Sequence, residues 1–187
     1  MAYAVKGVTL LNKAVFLDRD GVLNPNVYNT ETNEYESPHY PKDFALYTFV
    51  EKSLKALKNA GYIIVLVSNQ PSYAKGKASM ESLLAINNML KDWSDEHGVL
   101  IDKFCYCFHH PKGIVPEYTE VCECRKPGTL FLEQAKEQFN LDPVQCWFIG
   151  DRDTDIECGH RFGCRTVKVN INYTLYDAVK MILEETE

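Results

Sequence analysis

The feature that most constrains the fold is a regular alternation of short apolar runs with amphipathic stretches. The runs are rich in β-branched and aromatic residues and end abruptly at polar residues, as Ala14–Leu17 ends at Asp18. Continuous apolar runs of this length predict strands that are buried on both faces of a sheet. They occupy residues 14–17, 62–67, 104–108, 146–149 and, more weakly, 165–169.

The amphipathic stretches between these runs have apolar residues three and four positions apart, which predicts helices. They cover residues 49–57, 79–93, 129–139 and 174–183. Strands and helices in alternation imply right-handed crossovers, so we predict an α/β fold with a doubly wound, Rossmann-like parallel sheet. Ligands of such sheets bind beyond the carboxyl ends of the strands. The polar residues that close each apolar run are therefore the candidate site residues.

Length and charge limit the kinds of partner that we expect. A chain of 187 residues is expected to form one domain, spanning residues 1–187. The 20 Lys and Arg against 26 Asp and Glu give a net charge of −6, which argues against nucleic acid or an anionic membrane bound over a broad surface. Residues 1–16 lack the apolar segment and the cleavage site of a secretory signal. We therefore expect a cytoplasmic protein, and a monomer.

Two polar stretches interrupt the alternation. Residues 24–42 contain three prolines and several Asn and Tyr, and residues 109–126 contain prolines and cysteines without periodicity. Loops of this length are uncommon unless they are functional. We expect residues 24–42 to form a substrate loop that helps to exclude water from the site; a mobile surface insertion without ligand contact is the alternative.

Acidic residues follow two of the predicted strands. Asp18 and Asp20 close the first run, and Asp151 begins a second acidic cluster after the fourth run. If both strands are central, these carboxylates meet at one edge of the sheet. Like charges held so close need a cation, and oxygen ligands from Asp suit Mg²⁺. A turn at Asp18–Asp20 and a helix cap at Asp151 are the alternatives without function.

Ser68 and Asn69 close the second run, and Lys126 precedes the third predicted helix. An acid pair, a hydroxyl, a lysine and a second acid pair at successive strand ends resemble the haloacid dehalogenase-like phosphatases across nearly the whole chain. The resemblance implies that Asp18 attacks phosphorus and forms an aspartyl-phosphate. It implies that Asp20 protonates the leaving oxygen and then activates water.

The resemblance also implies a ligand set. Mg²⁺ would be held by Asp18, Asp151 and the backbone carbonyl of Asp20, while Asp155 would support the water shell of the ion or Lys126. The substrate phosphate would be bound by the side chains that the resemblance places around it, Ser68, Asn69, Arg125 and Lys126.

Seven cysteines in a chain expected to be cytoplasmic favour metal ligation or burial over disulfides. Cys107, His109, Cys122 and Cys124 form two close pairs that bracket a loop over residues 107–124, a spacing typical of a structural Cys₃His zinc site. His110 could replace His109 as the ligand, and buried thiols without metal are the alternative. Cys122 and Cys124 lie in a polar segment that offers no core to enter, which favours zinc.

A zinc loop before Arg125-Lys126-Pro127 resembles one branch of that superfamily, the heptose 1,7-bisphosphate phosphatases and the related histidinol-phosphate phosphatases. This branch has no large cap domain. The resemblance implies removal of the 7-phosphate from D-glycero-D-manno-heptose 1,7-bisphosphate, with histidinol phosphate or another small metabolite as the alternative. A zinc-ordered binding module without catalysis is an alternative of another class. The chain departs from the branch at Pro71-Ser72-Tyr73 and in the long stretch 24–42.

Overall fold

The computed structural model describes residues 11–30 and 32–185. Its centre is a five-stranded parallel sheet with the strand order β5-β4-β1-β6-β7, flanked by five α-helices. The strands of this sheet are β1 (Ala14–Leu17), β4 (Ile63–Asn69), β5 (Lys103–Cys107), β6 (Trp147–Gly150) and β7 (Arg165–Lys168). The helices are α1 (Val50–Asn59), α2 (Met80–Glu96), α3 (Leu130–Phe139), α4 (Asp153–Phe162) and α5 (Leu175–Glu184).

The core has two halves, one on each face of the sheet. Successive side chains of β1 point to opposite faces, so Val15 and Leu17 join one half while Ala14 and Phe16 join the other. The helices α1, α2 and α5 contribute to the first half, and α3 and α4 to the second. All four residues of β1 are fully buried. The predicted doubly wound parallel sheet is therefore confirmed.

The predicted elements begin and end close to the observed ones. The main difference is β4, which continues through Ser68 and Asn69 instead of ending before them. Both residues still pair with β5, opposite Tyr106 and Cys107. They therefore form the last pairs between β4 and β5, and the sheet fixes their backbone positions.

Residues 24–42 are more ordered than a loop. They contain an antiparallel hairpin of β2 (Val27–Asn29) and β3 (Glu34–Glu36), followed by a 3₁₀ helix over Pro41–Asp43. Tyr28 and Tyr35 face each other across this hairpin, with their ring centroids 5.2 Å apart. Cross-strand aromatic pairs stabilise a short hairpin. The polar composition of this stretch conceals the strands.

The described part of the chain contains no large cap domain, as expected for the branch. Residues 1–10, on which the expectation of no secretory signal partly depends, lie outside the described residues. Among the helices that the structure describes, none is both long and apolar enough to cross a bilayer.

Candidate active site

The candidate active site lies at the carboxyl edge of the sheet, between β1 and β6. The chain leaves β1 toward β4 on one side and returns to β6 on the other, so the strand order reverses here. Asp18 follows β1 and Asp151 follows β6, and the backbone N–H of Asp18 donates to the carbonyl of Ile149 at 3.0 Å. Such a reversal is where open α/β sheets bind their ligands.

Three carboxylates and one ammonium group meet at this edge. One carboxylate oxygen from each of Asp18, Asp151 and Asp155 lies within 4.8 Å of the other two. The Nζ of Lys126 lies 2.9 Å from Oδ1 of Asp18 and 2.8 Å from Oδ1 of Asp155. The same Nζ donates to the carbonyl of Val67 at 2.7 Å. The structure thus brings together the two acidic clusters and the lysine that the sequence analysis singled out.

The protonation of Asp18 reflects this crowding. Burial raises the pKa of Asp18 to about 7, with further increases from Asp155 and Asp20, while Lys126 opposes the rise. Burial also raises the pKa of Asp151. One lysine therefore does not balance the negative charge at this edge, and a second positive charge would stabilise the ionised carboxylates.

The donor set fits a divalent cation. Oδ1 of Asp151 is buried and has no hydrogen-bond partner among residues 11–30 and 32–185. An unpaired buried carboxylate oxygen is costly unless a cation or an ordered water pairs with it. Clustered carboxylate oxygens without nitrogen or sulfur are the ligands that Mg²⁺ prefers. Asp155 lies on the first turn of α4, where its Oδ2 accepts from the backbone N–H of Arg152.

Gly21 makes room for Asp151. Its φ is +82°, and a Cβ at this position would come closer than 3.0 Å to the carboxylate of Asp151. A side chain at residue 21 therefore conflicts both with the left-handed backbone conformation and with the acid beside it.

Gly21→Ala is expected to destabilise the protein by about 1–2 kcal/mol from backbone strain and to lower kcat by at least about 10-fold, because a shift of about 1 Å in a catalytic group is enough for such a loss. The matched control is Gly61→Ala, since Gly61 has a φ of +81° but no described atom within 4 Å of an added Cβ. Both variants should lose stability in chemical denaturation, and only Gly21→Ala should lose activity. Equal activity in the two variants would refute the role of this contact.

Asp20 is held by side chains that the sequence analysis did not select. It is 5% exposed, and its carboxylate accepts hydrogen bonds from Arg19, Asn24 and Gln70. Gln70 stands two positions after Ser68, so the period of a strand places both side chains on the same face. That spacing is the signal that could have identified Gln70. Arg19 lies between Asp18 and Asp20 in the sequence, and this pattern does not indicate that its side chain is buried.

Ser68 and Asn69 occupy different places. Ser68 is buried, its Oγ accepts from Nε2 of Gln70 at 2.8 Å, and it is not on the pocket wall. Asn69 lines the pocket. Its Nδ2 donates to the carbonyl of Lys126 at 3.1 Å, and its Oδ1 accepts from the backbone N–H of Lys126 at 3.0 Å. Asn69 therefore fixes the backbone that carries the buried lysine.

A cavity of about 440 Å³ opens above these residues. Asp18, Asp20 and Asp155 line it, together with Tyr35 of the hairpin. Residues 24–42 therefore reach the pocket rather than lying away from it. Beside its carboxylates, the wall carries five basic side chains, namely Lys75, Lys77, Arg125, Lys126 and Arg152. Lys77 is paired with Glu36 of the hairpin.

Cys107, His109, Cys122 and Cys124 converge in a second cluster. The three sulfurs lie 3.3–3.6 Å apart, and Nδ1 of His109 lies 3.4 Å from the sulfur of Cys124 and 3.8 Å from that of Cys107. A tetrahedral zinc with bonds of about 2.3 Å separates its ligand atoms by about 3.8 Å, so the donor set fits this ion. The ring of His110 is directed elsewhere, and its Nδ1 accepts from the backbone N–H of Lys112.

The cysteine loop is joined to the pocket wall. Nη1 of Arg125 donates to the carbonyl of His109 at 3.3 Å, and the backbone N–H of Ile114 donates to the carbonyl of Ala74 at 2.6 Å. Tyr118 lies between the rings of His109 and Tyr73. A fixed conformation of this loop therefore determines where Arg125 and the neighbouring Lys75 lie.

Known proteins share both the fold and the sequence. The HAD-hydrolase-like family model matches residues 123–179. The D-glycero-beta-D-manno-heptose-1,7-bisphosphate 7-phosphatase of Haemophilus ducreyi is 37% identical over 82% of this chain and 80% of its own length. The corresponding enzyme of Haemophilus influenzae is 38% identical over 86% of this chain and 81% of its own length. The chain belongs to this family of haloacid dehalogenase-like phosphatases.

A solved structure supports the same assignment of the fold. The D,D-heptose 1.7-bisphosphate phosphatase of B. bronchiseptica, complexed with magnesium and phosphate, has a TM-score of 0.72 with 20% identity and covers 94% of this chain and 99% of its own. The resemblance inferred from the motifs is thus confirmed, and the protein is a phosphatase.

The stretch Pro71-Ser72-Tyr73, which is predicted to depart from the pattern of the branch, lies just after the end of β4. Pro71 and Ser72 line the pocket, and Oγ of Ser72 lies 3.5 Å from Oγ of Ser37 beyond the hairpin. Tyr73 turns away from the pocket and packs against Tyr118 with ring centroids 5.1 Å apart. This stretch therefore connects the hairpin region with the cysteine loop.

Proposed function

We propose that the chain, as one phosphatase domain over residues 1–187, is a Mg²⁺-dependent phosphomonoester hydrolase of D-glycero-D-manno-heptose 1,7-bisphosphate that removes the 7-phosphate. The observation that carries the chemistry is the convergence of Asp18, Asp151 and Asp155 with Lys126 beside a cavity of about 440 Å³. The names of the relatives support the substrate.

In the first step, a carboxylate oxygen of Asp18 attacks phosphorus and the bond from phosphorus to the sugar oxygen breaks. Asp20 donates a proton to the departing oxygen, and the phosphoryl group remains on Asp18 as an acyl phosphate. Lys126, 2.9 Å from Asp18 and buried, places a positive charge beside the transferring group.

In the second step, a water molecule attacks the phosphorus atom of the aspartyl-phosphate. Asp20, now deprotonated, accepts a proton from this water, and the bond between Asp18 and phosphorus breaks. Inorganic phosphate leaves, and both carboxyl groups return to their initial states. One residue serves as acid and then as base because the two steps are chemically symmetric about phosphorus.

The side chains of Asp18 and Asp151 and the backbone carbonyl of Asp20 would hold Mg²⁺, which would supply positive charge to the phosphoryl oxygens and neutralise the carboxylates. Asp155 would keep Lys126 in place through the ion pair at 2.8 Å. Ser68, Asn69 and Arg125 would contact the phosphoryl group, and Gln70 donates to Oγ of Ser68 at 2.8 Å.

The basic side chains of the pocket wall support a substrate with two phosphates. Burial lowers the pKa of Lys75, and the neighbouring Lys77 and Arg125 lower it further. Positive charges crowded in this way are stabilised by an added anion. Histidinol phosphate would bring a cationic group toward the same wall, so the bisphosphorylated sugar is the better match. A binding module without catalysis would not need a buried lysine paired with the candidate nucleophile Asp18.

A phosphate-release screen tests the function. Heptose 1,7-bisphosphate, mannose 6-phosphate and histidinol phosphate would be compared with Mg²⁺ and with EDTA. We expect the highest kcat/KM for the bisphosphate, and loss of turnover in EDTA. Lys75→Met should raise KM for the bisphosphate more than for the monophosphate. Preference for histidinol phosphate would overturn the substrate, and no release from any of the three compounds would overturn the activity.

We further propose that Cys107, His109, Cys122 and Cys124 hold one structural zinc ion. Burial raises the pKa of the Cys124 thiol to about 11 and also raises the pKa of Cys107. Without a metal, these thiols are protonated near neutral pH; a bound zinc ion would stabilise them as thiolates. Four protein ligands would close the site, so the ion would order the loop rather than take part in the reaction.

Cys124→Ser is expected to lower the zinc content from about one ion per chain to near zero and to raise KM by at least about 5-fold, because Arg125 and Lys75 lose the loop that places them. Metal analysis and steady-state kinetics measure the two effects. Cys164→Ser is the control, since Cys164 is a buried thiol outside the cluster. Wild-type protein without zinc, or a Cys124→Ser variant that retains it, would contradict the site.

A further inference from the structure

Arg19 is a fully buried guanidinium in the middle of the motif that carries Asp18 and Asp20. It is 0% exposed and is among the largest side chains that are completely buried. A buried charge is unfavourable unless it is paired and its hydrogen-bonding groups are satisfied. No step of the proposed reaction involves Arg19 directly, so its partners indicate what it does.

The guanidinium is directed at Asp20. Nε lies 3.2 Å from Oδ1 of Asp20, and Nη2 lies 3.0 Å from Oδ1 and 3.2 Å from Oδ2. Two nitrogens on one carboxylate fix its plane as well as its charge, which a single point charge would not do.

The guanidinium is itself held from elsewhere in the fold. Nη1 donates to Oδ1 of Asn87 on α2 at 2.7 Å, and Nη2 donates to Oε1 of Gln70 at 3.0 Å. Gln70 in turn donates from Nε2 to Oδ2 of Asp20 at 2.6 Å. Asn24 completes the set by donating to Oδ1 of Asp20 at 3.0 Å. Asp20 is therefore held by three side chains, two from its own stretch of the chain and one from the end of β4.

We propose that Arg19, braced by Asn87 and Gln70, is a positioning residue that orients Asp20 for proton delivery to the leaving oxygen. This inference rests on the proposed function of Asp20 as the acid in the first step. Because Asn87 and Gln70 hold the guanidinium of Arg19, its two contacts with Asp20 keep that carboxyl group in one rotamer beside the pocket. Small errors in the placement of a proton donor are enough to lower the rate about 100-fold.

The leaving group provides a selective test. A sugar alkoxide needs a proton as it departs, whereas p-nitrophenolate is weakly basic and departs without one. Since kcat/KM covers the steps up to the first irreversible bond cleavage, it reports on the acid and not on the later hydrolysis. Arg19→Gln should lower kcat/KM for heptose 1,7-bisphosphate by about 100-fold and for p-nitrophenyl phosphate by less than about 3-fold.

Three further variants make the test decisive. Arg19→Lys keeps the charge but not the fork, so the selective loss should persist; full recovery would show that only charge matters. Asn87→Leu removes the partner of Nη1 of Arg19 while leaving the ion pair of Arg19 with Asp20 in place. It should lower kcat/KM for the heptose bisphosphate selectively, but by less than Arg19→Gln. This variant decides the question if Arg19→Gln does not fold. Lys58→Gln removes a partly buried ion pair with Asp102 outside the site and should leave both rates unchanged.

The outcomes separate this inference from the proposed function. Equal losses for the two phosphates in the Arg19 and Asn87 variants would overturn the positioning role and leave the phosphatase function intact. Wild-type protein that hydrolyses neither phosphate in the presence of Mg²⁺ would instead overturn the proposed function.

Discussion

Asp18→Asn is expected to lower turnover by at least about 10⁴-fold, because an amide cannot replace a carboxylate as the nucleophile of a covalent mechanism. The fold should remain intact. Burial raises the pKa of Asp18 to about 7, so a neutral side chain of the same size is tolerated at this position. Phosphate release under saturating substrate and Mg²⁺ measures the first effect, and thermal denaturation measures the second.

Asp95→Asn is the matched control for this substitution. Asp95 is an exposed residue of α2 that pairs with Lys91, so the same chemical change there should alter neither activity nor stability appreciably. Hydrolysis by Asp18→Asn at the rate of the wild type would end the covalent mechanism. Unfolding of Asp18→Asn would instead show that the carboxylate is needed for stability.

Lys126→Met is expected to abolish activity and to reduce the free energy of unfolding by about 3–5 kcal/mol. Burial lowers the pKa of Lys126, but Asp18 and Asp155 outweigh this effect and raise it, so the group is charged. Its removal leaves two buried carboxylates without their cation. Chemical denaturation with EDTA present measures the change without compensation by a divalent ion.

The loss of stability in Lys126→Met should depend on pH in a defined direction. A carboxyl group whose pKa is raised in the folded state stabilises the fold when protonated and loses this contribution as the pH rises through that pKa. Since the pKa of Asp18 is already raised to about 7, the variant should be destabilised more at pH 8 than at pH 5.5. Lys168→Met removes an exposed pair with Asp153 and should change stability by less than about 1 kcal/mol at either pH. A loss of unfolding free energy in Lys126→Met no larger than that in Lys168→Met would contradict the role of the buried ion pairs of Lys126 with Asp18 and Asp155.

The sheet could be predicted because β1, β4 and β6 are apolar on both faces, which leaves few alternatives to a buried parallel strand. The meeting of Asp18 and Asp151 could be predicted for the same reason, since central parallel strands end at one edge. The cluster of Cys107, His109, Cys122 and Cys124 followed from ligand chemistry and spacing.

Other parts of the site could not be predicted because they depend on contacts that no local pattern encodes. Arg19 would ordinarily be placed in solvent, and its partner Asn87 lies 68 positions away on α2. The hairpin of β2 and β3 is polar and exposed, so it has no apolar alternation to reveal its strands. The contact of Gln70 with Ser68 joins two polar side chains at the end of β4, which the apolar run of this strand does not encode.

Trapping of the phosphorylated enzyme tests the central claim most directly. The wild-type protein would be mixed with heptose 1,7-bisphosphate and Mg²⁺, quenched in acid within the first turnover, digested, and examined by mass spectrometry. We predict phosphate on the peptide that contains Asp18, and none on that peptide when Mg²⁺ is replaced by EDTA. Phosphate on a different residue, or turnover without any phosphorylated peptide at any time point, would contradict the proposed mechanism.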